Sequence, residues 1–395
     1  MKVIQICHKP LFGPPDGGKI AMKAMAEGLN LNGVEVEQWM IETANHPIPE
    51  QIPADYPFYW RSANINTEIS FFPALKSLLQ GKSYNLSRFE DNRYHRLLLN
   101  YLQFNEADVI QGEGIYTLSR MQEIRKVNKA KIILRAHNIE YLIWQRMASG
   151  EKNVLKKAYL KILAKQLKAE EERIWKSVDG IIAISQQDAE VIQKAGVKCR
   201  VEVIGIATDL HKTAIPKNLE IKDLFHLGAM DWRPNLEGLE WFIKDIWPKV
   251  KTEFPSLRLS IAGKGMPSYL TKMQSNAIDV VQVEDAYDFY MQHGIMIVPL
   301  LSGSGIRVKI IEGMALGKIV ISTTIGAEGI HAENGKHFFL ADDLESFLVI
   351  IRKLLSKPSY VNEVSENART FVFENYRTEV LGATTLEFYR EVITL

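Results

Sequence analysis

The sequence predicts an α/β protein of two doubly wound domains facing across a cleft, and three observations carry that expectation. The chain has 395 residues, whereas a single hydrophobic core stops growing near ~250–300 residues. Short runs that are apolar throughout alternate with amphipathic helical patterns, as parallel strands covered by helices on both faces do. The alternation runs twice, broken between Gly205 and Lys222 by a polar stretch that contains Pro216 and lacks helical period. This places domains at residues 1–204 and 223–370, a linker at 205–222, and terminal helices beyond Pro358.

In the first series, Lys2 to Cys7 reads as a strand, Lys9 to Gly18 as a Gly/Pro-rich loop and Ile20 to Leu31 as a helix stopped by Gly33. Val34 to Met40 alternates as a second strand, and His46 to about Leu86 reads as an irregular insertion with short helices. Strand Asp108–Gln111, helix Leu118–Val127, strand Lys131–Arg135, a helical zone Glu140–Trp175, strand Gly180–Ser185, helix Gln187–Lys194 and strand Val201–Ile204 follow. The second series begins with strand Leu224–Gly228, helix Gly238–Val250 and strands at Leu257–Ala262, Asp279–Val281 and Ile295–Pro299. It continues with helix Ile306–Leu316, strands Ile319–Ser322 and Phe338–Leu340, and helix Leu344–Leu355; Pro358 breaks the pattern, and Asn362–Ile393 forms one or two last helices.

Hydrophobic residues make up 46% and charged residues 24%, which excludes disordered, collagen-like and disulfide-scaffold classes. Lys and Arg number 48 against 47 Asp and Glu, leaving no global field for a nucleic-acid backbone, so no nucleic-acid partner is expected. The longest apolar stretch, Gly294–Leu301, is far short of the ~18–20 residues of a membrane span. The broken apolar run before His8 does not read as an export signal, so a cytoplasmic location is expected. Cys7 and Cys199 share no metal-binding or disulfide spacing and read as reduced thiols.

In such sheets ligands bind beyond the carboxyl ends of the strands. The segment Pro299 to Gly317 leaves a buried strand, crosses Gly303-Ser304-Gly305 and enters a helix, where free N–H groups can cradle a phosphate. Arg307 and Lys309 add cations in a first turn where the helix dipole alone disfavours them, and Glu312 can reach hydroxyls beside a bound phosphate. After the first strand, Gly13 to Lys19 almost spells a P-loop, but Ile20 replaces the hydroxyl that holds magnesium, which argues against a triphosphatase. His137 follows a buried strand and can meet a sugar hydroxyl or developing charge. Asp342-Asp343 precedes a helix and reads as capping; with no D-x-D spacing, neither a bound metal nor another cofactor is expected. Residues 152–168 hold six lysines and no acid, with Lys157, Lys161, Lys165 and Lys168 opposite Leu155, Tyr159, Ile162, Leu163 and Leu167. That pattern suits either a core-packed helix with a solvated face or peripheral contact with an anionic inner membrane face.

The order of Asp16-Gly17-Gly18, His137-Asn138, Ala183-Ile184-Ser185, Gly228, Asp231 to Asn235, Ala262 to Gly265 and Arg307 to Gly317 resembles family 4 (group 1) glycosyltransferases of the GT-B fold. The resemblance covers nearly the whole chain and implies two Rossmann-like domains, with the last helix, from about residue 371, crossing back to the first. It implies a retaining, metal-independent transfer of a sugar from a nucleotide-diphosphate donor to an acceptor hydroxyl on a glycan or lipid-linked glycan. By carry-over, Glu312 would hold the ribose, and Gly228, Arg307, Lys309 and Gly305 the diphosphate. Gly263 and Val283 would line the base, His137 would touch the donor sugar, and Gly17 and Gly18 would face diphosphate or acceptor. Two departures stand out: Ser304 occupies the place of a second, sugar-gripping glutamate, and of the usual basic pair after Gly228 only Arg233 is present, with Asn235 and Glu237 near the expected lysine. A nucleotide-sugar epimerase of the same fold and a non-catalytic nucleotide- or sugar-binding protein are the rival expectations.

Overall fold

The computed structural model describes residues 1–13, 16–151, 153–207, 221–230, 232–283, 286–303 and 306–395. Two compact units emerge, one of Met1–Ala207 with Thr378–Leu395 and one of Thr208–Arg377. The expected linker lies mostly outside the described residues, as do Ser304 and Gly305.

Unit 1 begins with β1 (Lys2–Cys7), α1 (Gly17–Leu31), β2 (Glu35–Glu42), β3 (Tyr59–Asn64), α2 (Phe71–Leu79), α3 (Tyr84–Ser87) and α4 (Asn92–Phe104). It continues with β4 (Val109–Glu113), α5 (Met121–Val127), β5 (Lys131–Ala136), α6 (Glu140–Gly150), α7 (Val154–Trp175), β6 (Gly180–Ala183), α8 (Gln186–Lys194) and β7 (Arg200–Val203). The seven strands are parallel in the order β3-β2-β1-β4-β5-β6-β7. Their apolar side chains, such as Ile4, Ile6, Ile110, Ile132 and Leu134, form the core under the helices. Helix α1 starts at Gly17, earlier than its hydrophobic period suggests, because Asp16 caps it by accepting from Lys19 N at 2.9 Å.

The segment read as an irregular insertion contributes a strand: β3 pairs Tyr59–Asn64 with Glu37–Glu42. An edge strand needs only one partner and one packed face, so its own pattern is weak and pairing decides it. The helical zone Glu140–Trp175 is two helices; Asn153 caps the second through Lys156 N at 3.1 Å.

Unit 2 holds β8 (Asp223–Leu227), α9 (Arg233–Trp241), a π-helical turn (Phe242–Ile246), α10 (Trp247–Glu253), β9 (Arg258–Ala262), α11 (Ser268–Thr271), β10 (Ile278–Val281) and α12 (Ala286–Gln292). Next come β11 (Ile295–Val298), α13 (Val308–Ala315), β12 (Ile319–Ser322), β13 (Phe339–Leu340), α14 (Leu344–Ser356) and α15 (Pro358–Asn375). This sheet is also parallel, in the order β10-β9-β8-β11-β12-β13. Pro358 opens α15 instead of ending the helical region, since a proline in the first turn has no hydrogen bond to lose.

Helix α15 stays in unit 2, where Val361 and Val364 join the core and Ser365 Oγ donates to Gly317 O at 2.6 Å. The return to unit 1 therefore begins at α16 (Thr378–Thr394), later than residue 371. Helix α16 packs on α1 through a glycine pair: a Cβ on Gly382 would stand 1.9 Å from the Gly28 carbonyl oxygen. Only glycine lets the two backbones approach so closely.

Candidate functional sites at the two switch points

In each sheet the strand order reverses once, between β1 and β4 in unit 1 and between β8 and β11 in unit 2. At such a point the connections leave in opposite directions and open a crevice at the carboxyl ends.

At the switch point of unit 1 stands Glu113, the last residue of β4, with neither it nor Arg135 exposed to solvent (0% each). Gln5 Nε2 and Gln111 Nε2 donate to Glu113 Oε1, each at 2.6 Å. His137 Nε2 lies 2.6 Å from Oε2, and Arg135 Nη1 lies 3.5 Å from the same oxygen. Burial alone would raise the Glu113 carboxyl, but the Arg135 charge and the His137 and Gln5 hydrogen bonds outweigh it and bring it down to about 2. Arg135 also donates to Ala21 O at 2.9 Å.

The amides extend the cluster through the sheet interior. Gln38 Nε2 donates to Gln5 Oε1 at 2.9 Å, the Tyr56 hydroxyl donates to Gln38, and the Tyr389 hydroxyl of α16 donates to Gln111. Of this cluster, sequence reasoning singled out only His137. The available signal was polar residues inside apolar strands: Gln5, Gln38, Gln111, Glu113 and Arg135 all occupy positions where periodicity demands a hydrophobe.

His137 follows β5, as expected from its place in the chain, and is partly buried. His8, directly after β1, places Nδ1 2.8 Å from Glu113 O. Beside them Lys9 Nζ and Asp16 Oδ1 pair at 2.6 Å. Gly18 leaves room for that pair, since a Cβ there would lie 2.9 Å from Lys9 Nζ, while Gly17 faces open space.

In unit 2 the carboxyl end of β8 leads to Gly228, and that of β9 to Gly263. The two backbones touch, for a Cβ on Gly263 would fall 1.8 Å from Gly228 O. A Cβ on Gly228 would in turn meet Asn235 Nδ2 at 2.8 Å and Lys309 Nζ at 2.9 Å. Lys309, in the first turn of α13, donates to Asn235 Oδ1 at 2.8 Å and to Leu227 O at 3.2 Å. Burial and then the neighbouring Arg307 charge push this lysine down to about 7, against the attraction of Glu312. In the sequence Asn235 closes the Asp231–Asn235 segment of the resemblance and stands near an expected lysine; here it is the side chain that carries Lys309.

Glu312 stands one turn further along α13. Burial raises its carboxyl, opposed by a hydrogen bond from Tyr290 and by Lys309. The Tyr290 hydroxyl also reaches Lys309 O at 3.1 Å. Arg307 is the N-cap residue of α13 and lies almost buried, its guanidinium 5.1 Å from the centre of the Trp232 ring and close beneath Gly303. Gly228, Gly263, Lys309 and Glu312 are thus brought together in unit 2. Arg233, at the start of α9, is exposed and its side chain makes no hydrogen bond among the described residues, while Val283 lies beyond β10 beside residues outside the description.

Asp343 caps α14 by accepting from Ser346 N at 2.8 Å, and Asp342 accepts from Thr324 N at 2.7 Å, so both aspartates are engaged structurally. Among the described residues no helix is long and apolar enough to cross a membrane.

Residues 221–357 match the family Glycosyl transferases group 1. The chain is 28% identical over 282 residues to an uncharacterized 44.6 kDa protein in the cps region of Klebsiella pneumoniae, covering 67% of this chain and 69% of that protein. Among solved structures it resembles sucrose-phosphate synthase from Thermosynechococcus elongatus, with a TM-score of 0.69 at 15% identity and full coverage of both chains. It also resembles Anabaena HepE in complex with UDP, with a TM-score of 0.67 at 13% identity over 99% of this chain and 100% of that one. These likenesses agree with the α/β fold of two Rossmann-like domains expected from the sequence. The Gly228–Lys309–Glu312 cluster lies within the residues that match this family.

Proposed function

We propose that the protein is a retaining, metal-independent hexosyltransferase of glycosyltransferase family 4, moving a sugar from a nucleotide-diphosphate donor to a glycan or lipid-linked glycan hydroxyl during polysaccharide assembly. The observation that carries this reading is Lys309 held by Asn235 against Gly228 at the switch point, one helical turn from Glu312. A lysine lowered to about 7 is poised to take a proton when a diphosphate arrives, and that charge stabilises the departing diphosphate. Glu312 suits two ribose hydroxyls, and its raised carboxyl ionises more fully beside a protonated Lys309. Gly263 and Val283 would line the base, with Ser304 and Gly305 nearby along the chain but outside the described residues. A UDP complex among the structural relatives and the cps-region relative support donor class and pathway type.

Peripheral contact with an inner membrane face belongs to the same reading. The expectation that α7 lays its apolar side on the core holds only for its later turns: Leu163 and Leu167 are buried, whereas Leu155 is 83% and Ile162 47% exposed. Leu79 of neighbouring α2 is 80% exposed, and Gln166 Nε2 of α7 donates to Leu78 O at 3.2 Å. An apolar patch edged by Lys161 and Lys165 matches an anionic lipid surface.

Thermal unfolding against UDP, GDP, ADP and CMP, their sugar conjugates and NAD tests the donor reading. A ligand at about a hundred times its Kd adds ~2.7 kcal/mol, so one nucleoside diphosphate series should stabilise the protein and lose its effect in Glu312→Ala. Stabilisation by none of them, or by NAD alone, would refute the transferase reading and favour a different binding protein. Conversion of a donor sugar without any acceptor would point to an epimerase.

A further inference from the structure

We propose that a groove between α4 and the start of α5 in unit 1 is a binding site for a phosphoryl group, held by Asn92, His95, Arg96 and Arg120. The site stands on the geometry of unit 1 and requires no transferase activity; none of its residues belongs to the Glu113 cluster.

Asn92, His95, Arg96 and Leu99 recur at i, i+3, i+4 and i+7 and so form one stripe along α4. Arg120, the N-cap residue of α5, and Glu123 of its first turn join that stripe in lining a groove of about 370 Å³. Helix α4 leads into β4 and α5 leads out of it, so Asn92 and Arg120 meet at the carboxyl end of the sheet, where ligands of such sheets bind.

Asn92 holds both guanidinium groups: Arg120 Nη2 donates to Asn92 Oδ1 at 2.7 Å, and Arg96 Nε donates to Asn92 O at 3.3 Å. The terminal nitrogens of Arg96 make no hydrogen bond among the described residues. Nor does Arg120 Nη1, whose ion pair with Glu123 Oε1 is stretched to 4.0 Å. Planar forks anchored on one side, with N–H groups free on the other, match the oxygens of a phosphate. Two arginines against one glutamate leave the lining cationic, which asks that the ligand be an anion.

His95 supplies the independent sign of a ligand. Its side chain is only 4% exposed and lines the groove, yet neither ring nitrogen makes a hydrogen bond among the described residues, and Nε2 is fully covered. Buried polar groups are normally paired, and the groove is where a partner can reach this ring. Burial and then Arg120 of α5 bring it down to about 4, against the pull of Asp91, the N-cap residue of α4. A neutral imidazole offers an N–H to a phosphate oxygen without repelling Arg120, and the bound anion then favours the charged ring. Glu123 is the acid in the way. An exposed pair at 4.0 Å within one helical turn is weak and opens for an anion that gives Arg120 shorter contacts.

The test titrates the full chain with inorganic phosphate, and with sulfate as an analogue whose own protonation does not change, by calorimetry at an ionic strength fixed with chloride. Arg96→Gln and Arg120→Gln should each raise the phosphate Kd at least ~10-fold, the loss of a charged hydrogen bond. Glu123→Gln should lower it about threefold, because the competing carboxylate is gone. In 15N-labelled histidine spectra, assigned through His95→Gln, saturating sulfate should move the His95 titration from about 4 to above about 5. Vesicles of phosphatidylcholine with phosphatidic acid separate the two sources of a phosphoryl group. Release of bound protein by free phosphate, with weaker binding by Arg96→Gln, assigns the site to a lipid headgroup; no binding, or binding that phosphate leaves unchanged, assigns it to phosphate esters in solution. Absence of saturable phosphate binding, binding undiminished in both arginine variants, weaker binding in Glu123→Gln, or a His95 titration that sulfate does not move would overturn the proposal. Arg96 and Glu123 are surface residues, so their variants decide the matter even if His95→Gln fails to fold.

Discussion

Replacing Glu113 by Gln removes one charge from a pair in which both partners are wholly buried, with Arg135 Nη1 3.5 Å from Glu113 Oε2. Breaking a buried pair from one side leaves an uncompensated charge and costs ~3–5 kcal/mol. The amide adds a second conflict. Gln5 and Gln111 both donate to Oε1, while His137 and Arg135 both present N–H groups to Oε2, so the new NH2 faces donors whichever way it turns. Arg135→Met should cost less, because Glu113 keeps three hydrogen bonds. The double variant should be more stable than the sum of the two losses implies, by at least ~1.5 kcal/mol, since neither orphaned charge remains. Urea unfolding, with hydrogen exchange read on peptides spanning β4 and β5, measures these values in unit 1. The pH dependence supplies a check of sign: Glu113 lies below its unfolded value, so its stabilisation is present above about 4.5 and is lost as pH falls toward about 2. Glu113→Gln should lack that acid-labile component. A loss below ~1 kcal/mol in Glu113→Gln, or strict additivity in the cycle, would refute the reasoning.

Gly382→Ala should destabilise unit 1 by ~1–3 kcal/mol, because its methyl would stand 1.9 Å from the Gly28 carbonyl and force α16 off α1; a melting temperature within error of wild type would count against it. Affinity for the stabilising nucleoside diphosphate should fall as pH rises above about 7, by up to ~10-fold per pH unit, because an ever smaller fraction of Lys309 is protonated before binding. Calorimetry in buffers of different ionisation enthalpy should show proton uptake near that pH, and a flat profile would exclude Lys309 as the diphosphate cation. Reversing Lys161 and Lys165 to Glu should abolish sedimentation with vesicles containing phosphatidylglycerol at low salt, and absence of wild-type binding would remove the membrane contact.

Most strands and helices were legible from local pattern. Runs such as Ile295 to Val298 and Ile319 to Ser322 are apolar on both faces because helices cover both, and that requirement is written into each residue. Elements that escaped with weak local signals were β3, which becomes a strand by pairing with β2, and the short helices α11 and α12, whereas α4 escaped despite a legible one, a cap at Asp91 and buried Tyr94, Leu98 and Leu102 on one face. In unit 2 the glycines and the Lys309–Glu312 spacing could be read because a helix start beyond a buried strand is itself a local feature.

The unit 1 cluster was not legible, since its members lie far apart along the chain. Gln5, Glu113 and His137 meet only because β1, β4 and β5 lie side by side in register, and Tyr389 joins through a helix that returns after the whole second unit. Periodicity records whether a position faces the interior, and it flags a buried glutamate as an exception. It carries no information about which cation or amide will satisfy that glutamate. Strand order decides this, because hydrogen bonds across a sheet depend on three-dimensional neighbours that sequence distance does not encode.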